Sequence, residues 1–243
     1  MKTTIATFEQ EENLLASGFD FVLGIDEAGR GPLAGPVVAS VATIKDFKNL
    51  DLTDKKWNFI RDSKTLSEKQ REMMFDFIHE YFYVGVGICD HQTIDRMNIL
   101  EATYLAMKKA ITDFQKKQKE LIQNRRCIVL VNGDKIIPSL SLEQLAIVSG
   151  DKLVKSIAAA SIIAKVTRDR MICEADKLYP QYGFAKHKGY GTRAHLEALG
   201  KYGPCPIHRL SFEPMKSHVY RRTGWTKQLK ECYYKGVRYS NKA

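Results

Sequence analysis

The sequence predicts an α/β fold in which a mixed central sheet is flanked by helices and followed by a small basic C-terminal appendage. Two short apolar runs separated by a glycine-rich turn, and then a third run, indicate three successive strands. Helical periodicity then alternates with short apolar runs, an order typical of a sheet with both antiparallel and parallel pairs. We therefore expect one domain over residues 1–214 and a basic appendage or tail over residues 215–243.

The first two strands enclose a charged turn in the stretch FDFVLGIDEAGRGPLAGPVVASVATI. Residues 19–25 and 37–44 are predicted as paired buried strands. Asp26 and Glu27 follow the first strand directly, and adjacent carboxylates at a buried position raise each other's pKa unless something compensates them. A divalent cation is the natural compensation. The alternative, favoured for an isolated pair, is a turn cap or a surface salt bridge.

The turn itself is rich in glycine, with glycines at positions 24, 29, 31 and 35. Such residues indicate a backbone that approaches another molecule closely or takes a positive φ. Gly29, Arg30 and Gly31 are therefore predicted to read a polar ligand through their main chain. A dinucleotide-binding loop is rejected, because Pro32 and strand-forming valines follow where a helix would have to begin.

Helices are predicted on both sides of this hairpin. Residues 7–17 indicate a short amphipathic helix, with Thr7 and Gln10 spaced as a capping box. Residues 45–66 are polar and predict a long connection. The helix that follows, residues 67–81, has a serine at its predicted N-cap.

The clearest helical pattern covers residues 94–118, where apolar residues recur every three or four positions. The other elements are shorter or less periodic, and they alternate between strand and helix. The remaining predictions are strands at 83–89, 127–131 and 145–148 and helices at 153–178 and 192–200.

The formal net charge of +10 is concentrated near the C-terminal end. Residues 185–243 hold 13 Lys and Arg against 3 Asp and Glu, whereas the preceding 184 residues hold 25 of each. Aromatic residues are interleaved with these cations, which is typical of a nucleic-acid surface. A solvated tail that aids solubility is the alternative explanation.

Composition also bears on the compartment. No run of about 18 uncharged apolar residues is present that could span a membrane, and the first residues lack the apolar run of a signal peptide. The five cysteines are odd in number and include no CxxC pair, which argues against both disulfides and a zinc site. We therefore expect a cytoplasmic protein with no membrane association.

Four segments together resemble one known family. GIDEAGRGPLAGPVVA at residues 24–39 is similar to the signature of ribonuclease HII, the type 2 ribonuclease H of bacteria. RDSKTLSEKQR, SGDKLVKSIAAASIIAKVTRDRM and HKGYGTRAHLEALGKYGPCPIHRLSF follow in the family's order, at residues 61–71, 149–171 and 187–212. The resemblance implies a ribonuclease H-like fold. Ribonuclease HIII is less similar, because it usually carries Gly-Lys-Gly where this chain has Gly-Arg-Gly.

The resemblance implies four acidic metal ligands, of which three carry over to Asp26, Glu27 and Asp151. The fourth falls on Asn132, which keeps a carbonyl oxygen but lacks the negative charge. Natural divergence and a deliberate Asp→Asn change both fit this departure. Asp134 is a possible substitute ligand, although a turn role is the stronger interpretation. Without the family pattern, Asp151 would be interpreted as a helix N-cap.

The chemistry implied by such a set is phosphodiester hydrolysis with two divalent ions about 4 Å apart. One ion activates water and the other stabilises the leaving 3′ oxygen. Hard oxygen ligands favour Mg²⁺ or Mn²⁺.

The resemblance assigns recognition of the ribose 2′-hydroxyl to Gly29, Arg30 and Gly31 and to Tyr190. The ring of Tyr190 would pack on the adjoining deoxyribose, where a 2′-hydroxyl would crowd it. The alternative for Tyr190 is a half-buried core tyrosine. Three further cations are candidate phosphate contacts, with solvated helix-face charges as the alternative: Lys64, Lys165 and Arg168.

The resemblance thus implies a metal-dependent endoribonuclease, and we expect a monomer. Its partners would be RNA/DNA hybrids, whose RNA strand it hydrolyses, and ribonucleotide-containing duplex DNA, which it incises 5′ of a single ribonucleotide. Two alternatives stay open. A hybrid-binding protein with impaired catalysis is supported by Asn132, and a ribonuclease HIII-like enzyme is opposed by Arg30.

Overall fold

The computed structural model of the chain describes residues 5–47 and 49–217. Its centre is a five-stranded sheet. The second and third strands lie where the sequence predicts them, to within one residue. The first strand covers residues 21–28 instead of 19–25, so Asp26 and Glu27 lie inside the strand and not after it, and the fifth begins two residues earlier than predicted. The strands are β1 (Phe21–Ala28), β2 (Val37–Ile44), β3 (Phe82–Cys89), β4 (Cys127–Asn132) and β5 (Glu143–Ile147).

The sheet has the order β3-β2-β1-β4-β5. The pairs β1–β2 and β2–β3 are antiparallel, whereas β1–β4 and β4–β5 are parallel. The mixed sheet predicted from the element order is therefore confirmed. Because β1, β4 and β5 are parallel neighbours, their carboxyl ends lie at one edge of the sheet.

Helices cover the sheet on both sides, and several short ones were not predicted. In the described residues they are α1 (Glu9–Ala16), α2 (Glu68–Tyr81), α3 (His91–Met97), α4 (Ile99–Lys117), α5 (Lys119–Ile122), α6 (Gly150–Leu153), α7 (Lys155–Leu178), α8 (Phe184–His187) and α9 (Arg193–Tyr202). Three 3-10 turns, Lys55–Phe59, Ser63–Thr65 and Pro180–Tyr182, complete the set.

Helices α4 and α7 pack on opposite faces of the sheet. Leu23 and Ile25 of β1 share a buried cluster with Ala106 of α4. Val22 shares a different cluster with Ile157 of α7. Since successive side chains of a strand point to opposite faces, α4 and α7 sandwich β1 between them.

The backbone of β1 lies very close to α7 at Gly24. A Cβ atom at this position would lie 2.2 Å from the backbone carbon of Ser156, so only glycine fits. Asp26 lies two residues further along the strand and therefore faces the same side as Gly24. The close contact of strand and helix thus directs the Asp26 carboxylate toward α7.

The sequence predicts the start of α2 correctly and the start of α1 incorrectly. Ser67 and Gln70 form a reciprocal capping box at α2. The predicted box of Thr7 and Gln10 is wrong, because the Thr7 backbone instead forms a parallel bridge with Val154. That bridge joins the N-terminal segment to the start of α7.

The single helix predicted over residues 94–118 is two helices that meet at Asn98. This residue has φ 74°, a left-handed conformation that cannot continue a helix. Its side-chain oxygen accepts hydrogen bonds from the backbone N–H groups of Leu100 and Glu101 and so caps α4. The regular apolar spacing continues across the break, which is why periodicity alone misses it.

The long connection over residues 45–66 is fixed to α7 by a buried lysine. The ammonium group of Lys155 donates to the carbonyl oxygens of Trp57 at 2.6 Å and Ile60 at 3.2 Å. Trp57 itself is buried in an apolar cluster with residues of α2 and α7. These contacts place the turn at residues 63–65 against the N-terminal half of α7.

The predicted appendage at 215–243 lies outside the described residues except for its first three positions. None of the helices described is long and apolar enough to cross a membrane.

Candidate active site

Asp26 and Asn132 meet at the carboxyl edge of the parallel strands. The register pairs Ile25 with Val131, so the next residue of each strand is a neighbour of the other. The Asn132 amide donates from Nδ2 to Oδ1 of Asp26 at 2.9 Å. Asp26 is only 4% exposed. The resemblance implies that both positions belong to one set of metal ligands, and the structure brings their side chains into contact.

Burial raises the pKa of the Asp26 carboxyl to about 7, and the negative charge of Glu27 contributes in the same direction. The hydrogen bond from Asn132 opposes this shift. Burial also raises the pKa of Glu27, against the opposing charge of Arg30, whose Nη1 lies 3.3 Å from Glu27 Oε1. The negative charges of these two carboxylates are therefore only partly balanced by hydrogen bonds and by the positive charge of Arg30.

Asp151 approaches the same edge from α6, the short helix after β5. Its side chain is buried, and α7 begins only after Val154, so Asp151 does not cap that helix. Neighbouring Gly150 lies against Asn132, since a Cβ atom there would be 3.5 Å from Asn132 Oδ1. Burial raises the pKa of Asp151, and the carboxylate of Asp62 raises it further.

The turn at residues 63–65 places a lysine near the carboxylates of Glu27 and Asp151. The hydroxyl of Ser63 lies 2.9 Å from that of Ser161 on α7, and the Ser161 side chain is near enough to Asp26 to oppose the raised pKa of that carboxyl. The ammonium group of Lys64, in the same turn, opposes the raised pKa values of both Glu27 and Asp151. Lys64 is thus within electrostatic reach of both carboxylates.

The turn after β1 is held in place by Arg209, which is fully buried. Position 29 requires glycine, because its φ is +99° and a Cβ atom there would lie 2.2 Å from Nε of Arg168. At Gly31 an added Cβ atom would meet only the Tyr190 ring, at 3.6 Å, so the chain itself does not require glycine there, and the close approach of Gly31 to another molecule stays a prediction. The guanidinium of Arg209 donates to four turn carbonyls, those of Gly29, Arg30, Gly35 and Pro36, at 2.6–3.1 Å.

Arg168 has a different place from the one predicted. Its side chain is buried, and its guanidinium donates to the carbonyl oxygens of Pro36, Lys188 and Ala34 at 3.0–3.1 Å. A buried cation committed to backbone carbonyls is not placed to meet a phosphate. The prediction of a phosphate contact for Arg168 is corrected to a structural role that joins the turn to the segment before Tyr190.

Tyr190 lies beside this turn with its side chain 46% exposed. A Cβ atom on Gly31 would lie 3.6 Å from Cε1 of the Tyr190 ring. The ammonium group of Lys165 is 6.0 Å from the centre of the ring, and it also bonds to Asp169 at 2.8 Å. The structure therefore groups the glycine turn, Tyr190 and Lys165 on one surface next to the carboxylates.

Sequence reasoning assigned no role to Arg209. The residue lies in the segment HRLSF, which resembles the family, and in the basic tract interpreted as a nucleic-acid surface. Its burial removes it from that surface, and the Lys188 side chain is only 12% exposed. The sequence carries no signal for this role, because burial cannot be inferred from charge.

The three carboxylates have the oxygen ligands that a divalent cation prefers, but the side chain at position 132 adds no negative charge. Asp26, Glu27 and Asp151 offer hard oxygens, and a cation would stabilise the charged forms that burial disfavours. Asn132 supplies a neutral amide that presents an N–H to Asp26. Within residues 5–47 and 49–217, no three His, Cys, Asp or Glu side chains are grouped closely enough to hold a metal. Asp134 lies exposed in a bend beyond β4.

Comparisons with known proteins agree with this arrangement. A family model described as ribonuclease HII matches residues 23–215. A ribonuclease HII of Caldicellulosiruptor bescii is 50% identical over 206 residues, covering 84% of this chain and 92% of that protein. The crystal structure of the ribonuclease H2 from Pyrococcus horikoshii OT3 aligns with a TM-score of 0.61 at 28% identity, covering 83% of this chain and 98% of that one.

A further structure, that of Bst-RNase HIII in complex with Mn²⁺, aligns with a TM-score of 0.58 at 17% identity and covers 84% of this chain and 72% of that one. At this identity the likeness bears on the fold alone. The ribonuclease H-like fold implied by the sequence resemblance is confirmed by these structures and by the mixed sheet. On the family model and the identity to curated relatives, the chain belongs to the ribonuclease HII family of nucleases.

Proposed function

We propose that this protein is an endoribonuclease that hydrolyses the RNA strand of RNA/DNA hybrids and incises duplex DNA 5′ of a single embedded ribonucleotide. The observation that carries the proposal is the contact of Asp26 with position 132 at the edge of the parallel strands, next to the glycine turn and Tyr190. Buried carboxylates beside an exposed aromatic ring suit an active site of this kind. The carboxylates would direct cleavage of the phosphodiester bond at one nucleotide, and the ring would pack against the sugar of the adjoining nucleotide.

Asp26, Glu27 and Asp151 would hold divalent cations, Mg²⁺ or Mn²⁺, with Asn132 at the remaining ligand position. Such cations supply an activated water and stabilisation of the leaving 3′ oxygen when bound. The protein's own contribution is orientation. Asn132 holds the Asp26 carboxylate by a hydrogen bond, so its position is set before substrate binds.

Recognition of the ribonucleotide would rest on the main chain of Gly29, Arg30 and Gly31. A 2′-hydroxyl both donates and accepts hydrogen bonds, as backbone groups can. The turn is rigid, because Arg209 binds its carbonyl oxygens and is itself buried. Lys64 and Lys165 flank this surface as candidate phosphate contacts.

The direct test is cleavage of three duplexes of one sequence with Mg²⁺ and with Mn²⁺. The duplexes are all-DNA, DNA with one ribonucleotide, and a continuous RNA/DNA hybrid. We expect no cleavage of the first and metal-dependent cleavage of the other two. Cleavage of the hybrid alone would favour an activity like that of ribonuclease HIII, and tight binding without cleavage would favour the hybrid-binding alternative, which Asn132 supports.

The ring of Tyr190 provides a prediction about selectivity. Tyr190→Ala should reduce incision at a single ribonucleotide by roughly tenfold more than cleavage of the continuous hybrid, since stacking on one sugar or base contributes about 1–3 kcal/mol. Tyr190→Phe, which keeps the ring, is the matched control and should preserve the ratio. Equal losses on both substrates with Tyr190→Ala would show that the ring does not read the junction.

The cationic C-terminal end provides a second prediction. Residues 218–243 contain seven Lys and Arg and one Glu. A chain that ends at Ser217 should bind duplexes more weakly and with a shallower salt dependence, because each phosphate contact contributes about 0.9 to the slope of log affinity against log salt. Its cleavage rate at saturating substrate should be retained. An unchanged slope would show that these cations do not meet the duplex.

A further inference from the structure

Two buried histidines lie directly behind Tyr190. His195, in α9, and His208, in the segment after it, are both fully buried. Their Nε2 atoms are 3.0 Å apart. Nδ1 of His195 lies 2.9 Å from the carbonyl oxygen of Tyr190, and Nδ1 of His208 lies 2.9 Å from the backbone nitrogen of Cys205. The two rings thus form a chain of contacts that ends at Tyr190.

The hydrogen-bond partners allow one neutral arrangement of protons. The Tyr190 carbonyl only accepts, so Nδ1 of His195 must carry a proton, and its Nε2 must accept. Nε2 of His208 must therefore donate, which leaves its Nδ1 to accept from the N–H of Cys205 at 2.9 Å. The opposite arrangement would set a lone pair of His195 against the Tyr190 carbonyl. It would also exchange the 2.9 Å bond from the Cys205 N–H for a longer contact of 3.3 Å between His208 Nδ1 and the Cys205 carbonyl oxygen.

The surroundings keep both rings neutral and in place. Burial lowers the pKa of His195, and burial together with His195 lowers the pKa of His208 to about 3. The rings of Tyr182 and Phe184 pack against both histidines, and His187 stacks on His195 with ring centres 4.5 Å apart. Neither imidazole can rotate freely in this packing.

His195 is also fixed through its backbone. Its N–H is 3.4 Å from the hydroxyl of Thr192, which caps α9. The Thr192 N–H donates to the Tyr190 carbonyl at 2.8 Å, so this oxygen receives hydrogen bonds from both the backbone and the imidazole. The start of α9 and the Tyr190 backbone are therefore connected as one unit.

We propose that His195 is a positioning residue for Tyr190, held in its Nδ1–H form by His208, and that this pair determines how well the enzyme distinguishes a single ribonucleotide from a continuous hybrid. The inference rests on the proposed role of Tyr190 at the junction. The imidazole does not touch the substrate. It fixes the backbone from which the ring projects, because a neutral donor at Nδ1 restrains the carbonyl of residue 190.

Two amide substitutions separate the contacts of His195. In His195→Asn the amide can occupy the place of Nδ1 and keep the bond to Tyr190, whereas in His195→Gln it reaches the place of Nε2 and keeps only the bond to His208. The measured quantity is the ratio of single-turnover rate constants for the one-ribonucleotide duplex and the hybrid. We expect His195→Gln to lower this ratio by about fivefold and His195→Asn to change it less than twofold.

The outcomes distinguish the inference from the function on which it rests. If Tyr190→Ala leaves the ratio unchanged, the proposed role of Tyr190 fails. If Tyr190→Ala lowers the ratio and His195→Gln does not, the inference about His195 fails alone. A purely structural role would lower thermal stability and both rate constants equally in the two amide variants. In a Tyr190→Ala background, His195→Gln should no longer alter the ratio.

Nitrogen-15 NMR of the unaltered chain tests the proton arrangement without any variant. The signals expected are a protonated Nδ1 with an unprotonated Nε2 for His195, and the reverse for His208. An Nε2–H form of His195 at neutral pH would overturn the proposal, even if the variants do not fold.

Discussion

Replacing Asn132 with aspartate is expected to raise the rate of phosphodiester hydrolysis by about a hundredfold or more. The amide of Asn132 contacts Asp26 at 2.9 Å, at the position where the family resemblance implies a carboxylate. An added negative charge there would strengthen the retention of divalent cations, whose effect in the transition state is worth several kcal/mol. About 1.4 kcal/mol corresponds to a tenfold change in rate. Single-turnover cleavage of the one-ribonucleotide duplex measures it.

The same substitution has an expected effect that does not depend on catalysis. In metal-free buffer, Asn132→Asp would replace a hydrogen bond to the buried Asp26 with a contact between two carboxylates, which repel each other. The variant should therefore melt at a lower temperature than the parent chain. Added Mn²⁺ should raise its melting temperature more than that of the parent, because the cation relieves the repulsion.

Two controls isolate the charge at position 132. Asn132→Ala removes the hydrogen bond without adding a carboxylate and should not raise the rate. Asp134→Asn should leave cleavage unchanged, because Asp134 lies exposed in the bend beyond β4. If the parent chain already cuts as fast as Asn132→Asp, or if Asp134→Asn abolishes cleavage, the neutral amide does not limit this enzyme.

Gly29→Ala is expected to destabilise the fold by roughly 3 kcal/mol and to reduce cleavage of both substrates by about a hundredfold. The residue has φ +99°, and the new methyl group would lie 2.2 Å from Nε of Arg168 and 2.7 Å from the Pro36 carbonyl oxygen. Relief of these contacts must displace either the turn or the buried arginine. Chemical denaturation and single-turnover kinetics measure the two losses.

Gly31→Ala is the matched control in the same turn. Its methyl group would meet only the Tyr190 ring, at an ordinary contact distance of 3.6 Å. The stability of this variant should stay close to that of the parent, and any loss of activity should appear as weaker substrate binding. A stable and fully active Gly29→Ala protein would show that the buried arginines do not fix the geometry of the turn.

Much of the fold follows from local patterns in the sequence. The strands β1, β2 and β3 are short apolar runs with turn residues at their ends, and the Ser67 cap marks the start of α2. These features depend on neighbouring residues, so the sequence alone predicts them. The position of Asp26 beside Asn132 depends in addition on the parallel pairing of β1 with β4, which local patterns do not assign.

The features that the sequence missed depend on contacts between distant segments. Thr7 has the right spacing for a capping box but bridges to Val154, about 150 residues away. Arg168 and Arg209 look like surface cations in the sequence, yet each is buried against backbone carbonyls of the glycine turn. Asn98 interrupts a regular helical pattern through its own backbone conformation. Periodicity and charge counts do not report such contacts.

The chemistry of the cut ends tests the central claim most directly. The chain should be incubated in excess over a duplex with one ribonucleotide, with Mg²⁺ or Mn²⁺, and the product ends identified by mass spectrometry. If the carboxylates at Asp26 and Asp151 direct metal-assisted attack by water, the cut lies 5′ of the ribonucleotide and leaves a 3′-hydroxyl and a 5′-phosphate. A cut 3′ of the ribonucleotide with a 2′,3′-cyclic phosphate would contradict the account, because the nucleophile would then be the 2′-hydroxyl of the substrate itself.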